Sequence, residues 1–243
     1  MPASPVIPGV LRTWIDRADD STVSLGLRER LPPMLSVIAG TVDLTGFFTL
    51  GNIFTAHITG NLVVAAAAAV RGGPIHLTQL LAIPVFMLAL AFVWLIAKAL
   101  NCRGQALARL LLLLQFLLLA AVLIFSIAFK PSADPHGLMA GVAAMIAVCA
   151  MACQYALFRL AIPEAVSTAV MTGNLTNTVL SLMDMLSPDH PLMTVDKARL
   201  MRSVRLLVGF LLGCIAAAAA ISLLGDWAWS LPVALAAVAI AIR

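Results

Sequence analysis

Apolar residues run through this chain in long unbroken blocks rather than in short amphipathic patches. Leu110–Phe129 carries no charge, and Gln115 and Ser126 are its only polar side chains. Gly137–Phe158 and Leu206–Leu224 are also uncharged, and Leu80–Ala97 and Trp227–Ile242 are somewhat shorter runs of the same kind. A helix needs about 20 apolar residues to span a bilayer. No backbone group can go unpaired in hydrocarbon, so these runs predict helices. Strands of about ten residues with alternating polarity, the mark of a membrane barrel, are missing. The expected fold is all-α: a polytopic transmembrane helical bundle.

Composition strengthens this. Of 243 residues, 62% are hydrophobic and only 11% are charged, and the mean hydropathy is +1.05. A soluble domain carries about 25% charged residues. Residues 1–33 differ, with Arg12, Arg17, Arg28, Arg30, four acids and the pair Pro32–Pro33. They lack the apolar stretch of a secretory signal. They are read as a cytosolic arm with a short amphipathic helix near Leu11–Arg30, and the first span acts as signal anchor.

The basic residues fall in blocks. Twelve of the fifteen lie in the arm, at Lys98, Arg103 and Arg109, at Lys197, Arg199, Arg202 and Arg205, and at Arg243. Lys and Arg concentrate in cytosolic loops, so the net charge of +4 reads as membrane orientation and calls for no nucleic-acid partner. Placing all twelve inside forces Met34–Val70, 37 mostly apolar residues, to make one crossing plus a broken or re-entrant piece. Thr45–Gly46, Gly51–Asn52 and Thr59–Gly60–Asn61 are the natural breaks. The same holds for Gly137–Met183. Six net crossings with both termini cytosolic follow.

A repeat sharpens the picture. Residues 55–62 read T-A-H-I-T-G-N-L and residues 168–175 read T-A-V-M-T-G-N-L, six of eight identical at a spacing of 113. Phe86-x-x-Ala89 and Phe210-x-x-Gly213 extend the correspondence. The chain divides into the arm 1–33, a repeat over 34–129 and a second over 130–243. Three crossings each would invert one copy relative to the other, as in many secondary transporters with broken helices. A break frees backbone N–H and C=O groups at depth, and a helix N-terminus favours an anion. Candidate substrate-binding residues are therefore Thr59, Gly60 and Asn61 with Thr172, Gly173 and Asn174. The plainer alternative is packing: small residues let helices approach, and Thr and Asn bond across them. Gly40, Gly46, Gly137, Gly141, Gly209 and Gly213 fit that role.

Ionisable groups within a membrane are costly and usually functional. Asp43, inside the first apolar run, is the leading candidate for solute binding and proton coupling. His57, in the first motif, is the second proton-coupling candidate, although Val170 replaces it in the second. Arg159 and Glu164 read as a local ion pair at a membrane boundary. Gln154 is a polar point that could face the same cavity. Cys102, Cys149, Cys153 and Cys214 read as small apolar side chains. No metal-ligand spacing, phosphate loop or nucleophile with an adjacent base is present, so no metal, cofactor or catalytic residue is assigned. Asp189–His190 and Asp196 read as solvated loop residues.

G-T-V-D-L-T-G-F-F at Gly40–Phe48, F-T-A-H-I-T-G-N-L at Phe54–Leu62, and C-Q-Y-A at Cys153–Ala156 followed by S-T-A-V-M-T-G-N-L resemble the YoaK-like family of bacterial multi-pass membrane proteins of unknown function. The resemblance covers roughly residues 34–242. It departs at Cys153, where Gly is common, and at Tyr155, where Asn is common. It implies a bacterial cytoplasmic-membrane protein and brings no substrate. The sequence thus favours a small secondary transporter or permease for a small polar or anionic solute. A non-transporting scaffold or assembly factor and an intramembrane enzyme remain the alternatives. The enzyme would need Asp43 and His57 within hydrogen-bond reach in a polar cavity. The expected partners are the lipid bilayer and a small-molecule solute, and so small a six-crossing bundle is compatible with a homodimer.

Overall fold

A computed structural model describes residues 25–163, 171–186 and 197–242. The helix expected near Leu11, Glu164, the loop residues Asp189, His190 and Asp196, and Arg243 lie outside the described residues. The described residues form eight α-helices and no strand: α1 (Leu25–Thr49), α2 (Gly60–Val70), α3 (Leu77–Ala99), α4 (Gly104–Phe129), α5 (Leu138–Ala156), α6 (Met171–Leu186), α7 (Lys197–Leu224) and α8 (Ser230–Ala241). A π-helical turn, Leu157–Ala161, extends α5, and a 3-10 turn, Gly225–Trp229, separates α7 from α8. Five runs are long and apolar enough to cross a membrane. The last of them, Leu200–Ala241, is divided by the turn at Gly225–Trp229. Its final part, α8, has 12 residues, a rise of about 18 Å.

The first helix begins earlier than the apolar run suggested, running through Pro32 and Pro33. Each proline removes a hydrogen bond to the carbonyl four residues before it. Those carbonyls belong to Arg28 and Glu29, beside the exposed Glu29 and Arg30, where water can take the bonds instead. The helix also passes through Thr45–Gly46 and breaks only at Leu50. Gly51 there adopts φ +82, and a Cβ at this position would strike the Pro135 carbonyl and lie 2.9 Å from His136 Nδ1. Only glycine meets both demands.

The helices are not equally buried. The spans of α1 and α5 are 67% and 72% buried, against 17% for α3. Met87, Leu88, Phe92 and Leu95 of α3 are exposed. A water-soluble protein does not display such a face; lipid accepts it. α1 packs along α7 and α5 along α3, α8 lies on α1 and α4 on α5, and α2 contacts α3 as α6 contacts α7.

Close approach holds the α1–α7 pair. A Cβ on Gly213 would strike the Val37 carbonyl, and one on Gly40 the Phe210 carbonyl. Buried polar groups add ties of the kind worth about 0.6–2 kcal/mol between membrane helices. Ser36 Oγ donates to the Leu206 carbonyl at 2.6 Å. Gln154 Nε2 donates to the Leu35 carbonyl at 2.9 Å, and Gln115 Nε2 to Gln154 Oε1 at 2.8 Å, tying α5 to α1 and α4. Trp229 Nε1 donates to Thr49 Oγ1 at 3.2 Å.

The chain between α1 and α3 leaves and returns to the same end of the bundle. Gly51 abuts Pro135 and His136. His76, just before α3, stacks on His136 with ring centroids 3.7 Å apart. Between these points the chain plunges inward and comes back as α2, whose 11 residues rise about 16 Å. The expectation for Met34–Val70 is a broken or re-entrant piece, and residues 50–70 are where the helix is broken.

Candidate functional site

The inward excursion needs a reason, because residues 50–59 are non-helical and their backbone groups must find partners in the interior. Asp43 supplies one. It lies six residues before the end of α1, about 9 Å of helical rise below it. Its Oδ1 accepts from the Thr55 N–H at 2.8 Å and the Ala56 N–H at 2.5 Å, with Thr55 Oγ1 a weaker third donor at 3.3 Å. Its Oδ2 meets His57 Nδ1 at 2.5 Å. The carboxylate is buried and fully engaged.

Asn61 supplies a second anchor. Its side-chain amide mimics a peptide group, accepting from the Phe54 N–H and donating to the Phe54 carbonyl, both at 2.8 Å. Asn61 is completely buried. Gly60 starts α2 with its Cα face against the Phe54 ring, which a Cβ would approach to 3.0 Å. Tyr155 provides a third tie from α5, its hydroxyl donating to the Ala56 carbonyl at 2.6 Å. Three separate elements therefore hold one short loop.

His57 is the member of this cluster that stays accessible, with a side-chain exposure of 33% against 5% for Asp43. Its Nδ1 is committed to Asp43, and its ring edge meets Phe210 with centroids 5.1 Å apart. The residue opens onto a cleft of 460 Å³ whose walls include Thr59, Phe86, Trp94, Tyr155 and Arg159. Phe86 and Tyr155 meet edge to face, with centroids 5.6 Å apart. An Asp-oriented imidazole of this kind can take up, hold and release a proton at Nε2.

The expected site residues divide between framework and cleft. Asp43 and Asn61 fold the loop, and of the expected site residues His57 and Thr59 reach the cleft, beside Ala56 and Ile58 of the same motif. Gln154 does not line it; it is buried between α1 and α4. The second motif, Thr172–Gly173–Asn174, opens α6 much as the first opens α2. There Asn174 is buried and Thr172 exposed. The motif helices pack on different neighbours, α2 on α3 and α6 on α7. Sequence reasoning missed Tyr155, Phe86 and Trp94, whose apolar or aromatic character is unremarkable in a membrane helix. It read Arg159 only as the partner of Glu164, which lies outside the described residues. Among the described residues no group of three His, Cys, Asp or Glu side chains is placed to hold a metal.

The two halves differ in one telling way. At the repeat spacing, Ala156 stands for Asp43 and Val170 for His57. Acid and base are present together in one half and absent together from the other, as expected of a pair that works as a unit.

Five membrane-length apolar runs with lipid-compatible outer faces define a multi-pass α-helical membrane protein. Residues 32–242 match the family described as protein of unknown function (DUF1275), and the chain belongs to it. The motif-based resemblance drawn from the sequence agrees with this. No curated protein and no solved structure matches the chain.

Proposed function

We propose that the protein is a small secondary transporter or permease for an anionic solute, with the Asp43–His57 pair as its proton-responsive element. One observation carries this: the chain is interrupted after its first crossing, folded back into the bundle, and held by a buried carboxylate whose histidine partner opens onto a cleft. A non-helical backbone at depth is tolerated where it is enclosed by protein or lines a cavity, and transporters build sites from such breaks.

The inverted-repeat architecture belongs to the same proposal. Its support is the pairing of helices. Exchanging α1 with α5, α2 with α6, α3 with α7 and α4 with α8 turns each packed pair into another packed pair. The proposal takes α8 as the sixth crossing, the end bearing Lys98, Arg103 and Lys197 as cytosolic, both termini inside, and the bacterial cytoplasmic membrane as the location. Thr59 and Thr172, exposed at the starts of α2 and α6, are the motif side chains left to meet solute, while Asn61 and Asn174 hold the breaks.

Flux in proteoliposomes tests the proposal. A set of labelled organic and inorganic anions is offered under an imposed pH gradient. The expected result is uptake that a protonophore abolishes and that His57→Ala reduces at least about tenfold. No protein-dependent flux of any anion would sink it. A second reading has one observation in its favour: Asp43 and His57 are within hydrogen-bond reach, the geometry of a general base. An intramembrane enzyme would convert its ligand covalently, so mass spectrometry of the vesicle contents separates the two.

A further inference from the structure

Arg159 stands on the π-helical turn Leu157–Ala161 beside the His57 cleft. The turn closes the C-terminal end of α5, where π turns are found. The guanidinium is exposed and has no ion-pair partner among the described residues. Among the described residues no acid lines the cleft, and the Asp43 carboxylate is engaged by Thr55, Ala56 and His57. The described part of the site therefore offers a fixed positive charge at Arg159 beside an imidazole that the Asp43 carboxylate holds. The facing wall is Phe86, Leu90 and Trp94.

These walls select among anions. A small inorganic ion would exchange its hydration shell for aromatic and aliphatic surfaces that return no hydrogen bonds. A neutral apolar molecule would leave the guanidinium unused. A molecule with both an anionic head and an apolar body satisfies both sides. Arginine presents a planar fork that matches a carboxylate with two parallel hydrogen bonds. The 460 Å³ cleft falls within the usual range for small-molecule sites, about 300–1,000 Å³.

We propose that the cleft binds an organic carboxylate, its head on Arg159 and its apolar body against Phe86, Leu90 and Trp94. This names the solute class for the transport proposal and rests on that proposal for movement, though not for binding.

The same chemistry could arrive from water or from the bilayer, so both sources are tested on the full-length protein in phosphatidylcholine nanodiscs. Equilibrium binding is measured for phenylacetate added to the buffer and for decanoate carried in the lipid, with phenylacetamide as the neutral match. The expected result is saturable binding of phenylacetate, weaker by about tenfold or more for phenylacetamide and in Arg159→Ala, and partly recovered in Arg159→Lys. Binding of decanoate alone, with the same arginine dependence, assigns the ligand to the bilayer. Equal binding of acid and amide, full affinity in Arg159→Ala, or no binding of either acid by folded wild-type protein overturns the proposal. Flux measured on the same preparation separates the two claims. Binding without flux keeps the carboxylate site and removes transport; flux of other anions without binding does the reverse.

Discussion

Asp43→Asn is the sharpest probe of the loop 50–59. The substitution preserves shape and one carbonyl oxygen, so the Thr55 and Ala56 N–H groups, at 2.8 and 2.5 Å, keep an acceptor. They lose its charge. Hydrogen bonds to charged groups contribute about 1.5–3 kcal/mol each and neutral ones about 0.5–1.5, a loss of about 1 kcal/mol per bond. The third bond suffers more, because an amide NH2 now faces His57 Nδ1 and the imidazole must shift its proton to accept. The combined loss is about 3 kcal/mol, or roughly a 100-fold rise in local opening at 1.36 kcal/mol per tenfold. Hydrogen exchange on a peptide covering residues 50–59, measured in nanodiscs, reads this directly. Thr55→Val serves as the control, since it removes only the 3.3 Å contact and is expected to cost less than about 0.5 kcal/mol. If Asp43→Asn exchanges like wild type, or Thr55→Val opens the loop equally, the carboxylate does not hold this segment.

Asn61→Ala strands the partly buried Phe54 N–H and C=O, and thermal unfolding in detergent is expected to show a loss of about 1–3 kcal/mol. Asn61→Asp is expected to be no better, because its carboxylate faces the Phe54 carbonyl. Gly213→Ala places a methyl group against the Val37 carbonyl and should cost about 1–3 kcal/mol in the same assay, whereas Gly72→Ala meets nothing within 4 Å and strains only its positive φ. Acid should loosen the loop where His76 stacks on His136. Desolvation, and then the neighbouring imidazole, hold His76 below the ordinary histidine value, so the folded loop binds protons more weakly than a free histidine does. The stabilisation is present above the ordinary range and is lost as the pH falls through it, between about pH 7 and 5. A lower protection factor in residues 72–77 at the acid end, with the intrinsic pH dependence of exchange divided out, checks this, and an unchanged protection factor contradicts it.

Much of the fold was legible because membrane insertion leaves few options. The uncharged run Leu110–Phe129 lies within α4, and charge placement called for a broken or re-entrant piece in residues 34–70, where α1 ends at Thr49 and α2 begins at Gly60. Boundaries were less legible. Pro32–Pro33 looked like the end of an arm but sits inside α1, because its orphaned carbonyls fall in an exposed turn. The site was half legible. Asp43 and His57 stood out as costly ionisable groups, and they do meet. Asn61 stood out as a duplicated polar residue, but nothing local reveals that its amide closes on Phe54, seven positions away. Tyr155 was visible only as a departure from a family pattern, and its bond to Ala56 joins residues 99 positions apart. Phe86 was visible only as part of the repeat, with no sign of a cleft, and Trp94 carries no signal, since aromatic residues in apolar helices are ordinary.

Solvent access to Thr59 tests the central claim most directly. In a variant lacking the four native cysteines, Thr59→Cys is placed in sealed vesicles of known orientation and treated with a membrane-impermeant maleimide from either side. A re-entrant segment lining a transport path predicts labelling through an aqueous route, a change in the labelled side or rate when the pH on one side is altered, and protection by phenylacetate. A thiol inert from both faces at every pH, although reactive in the unfolded protein, would mean that residues 50–70 are packed or lipid-covered, and the transport account would fail.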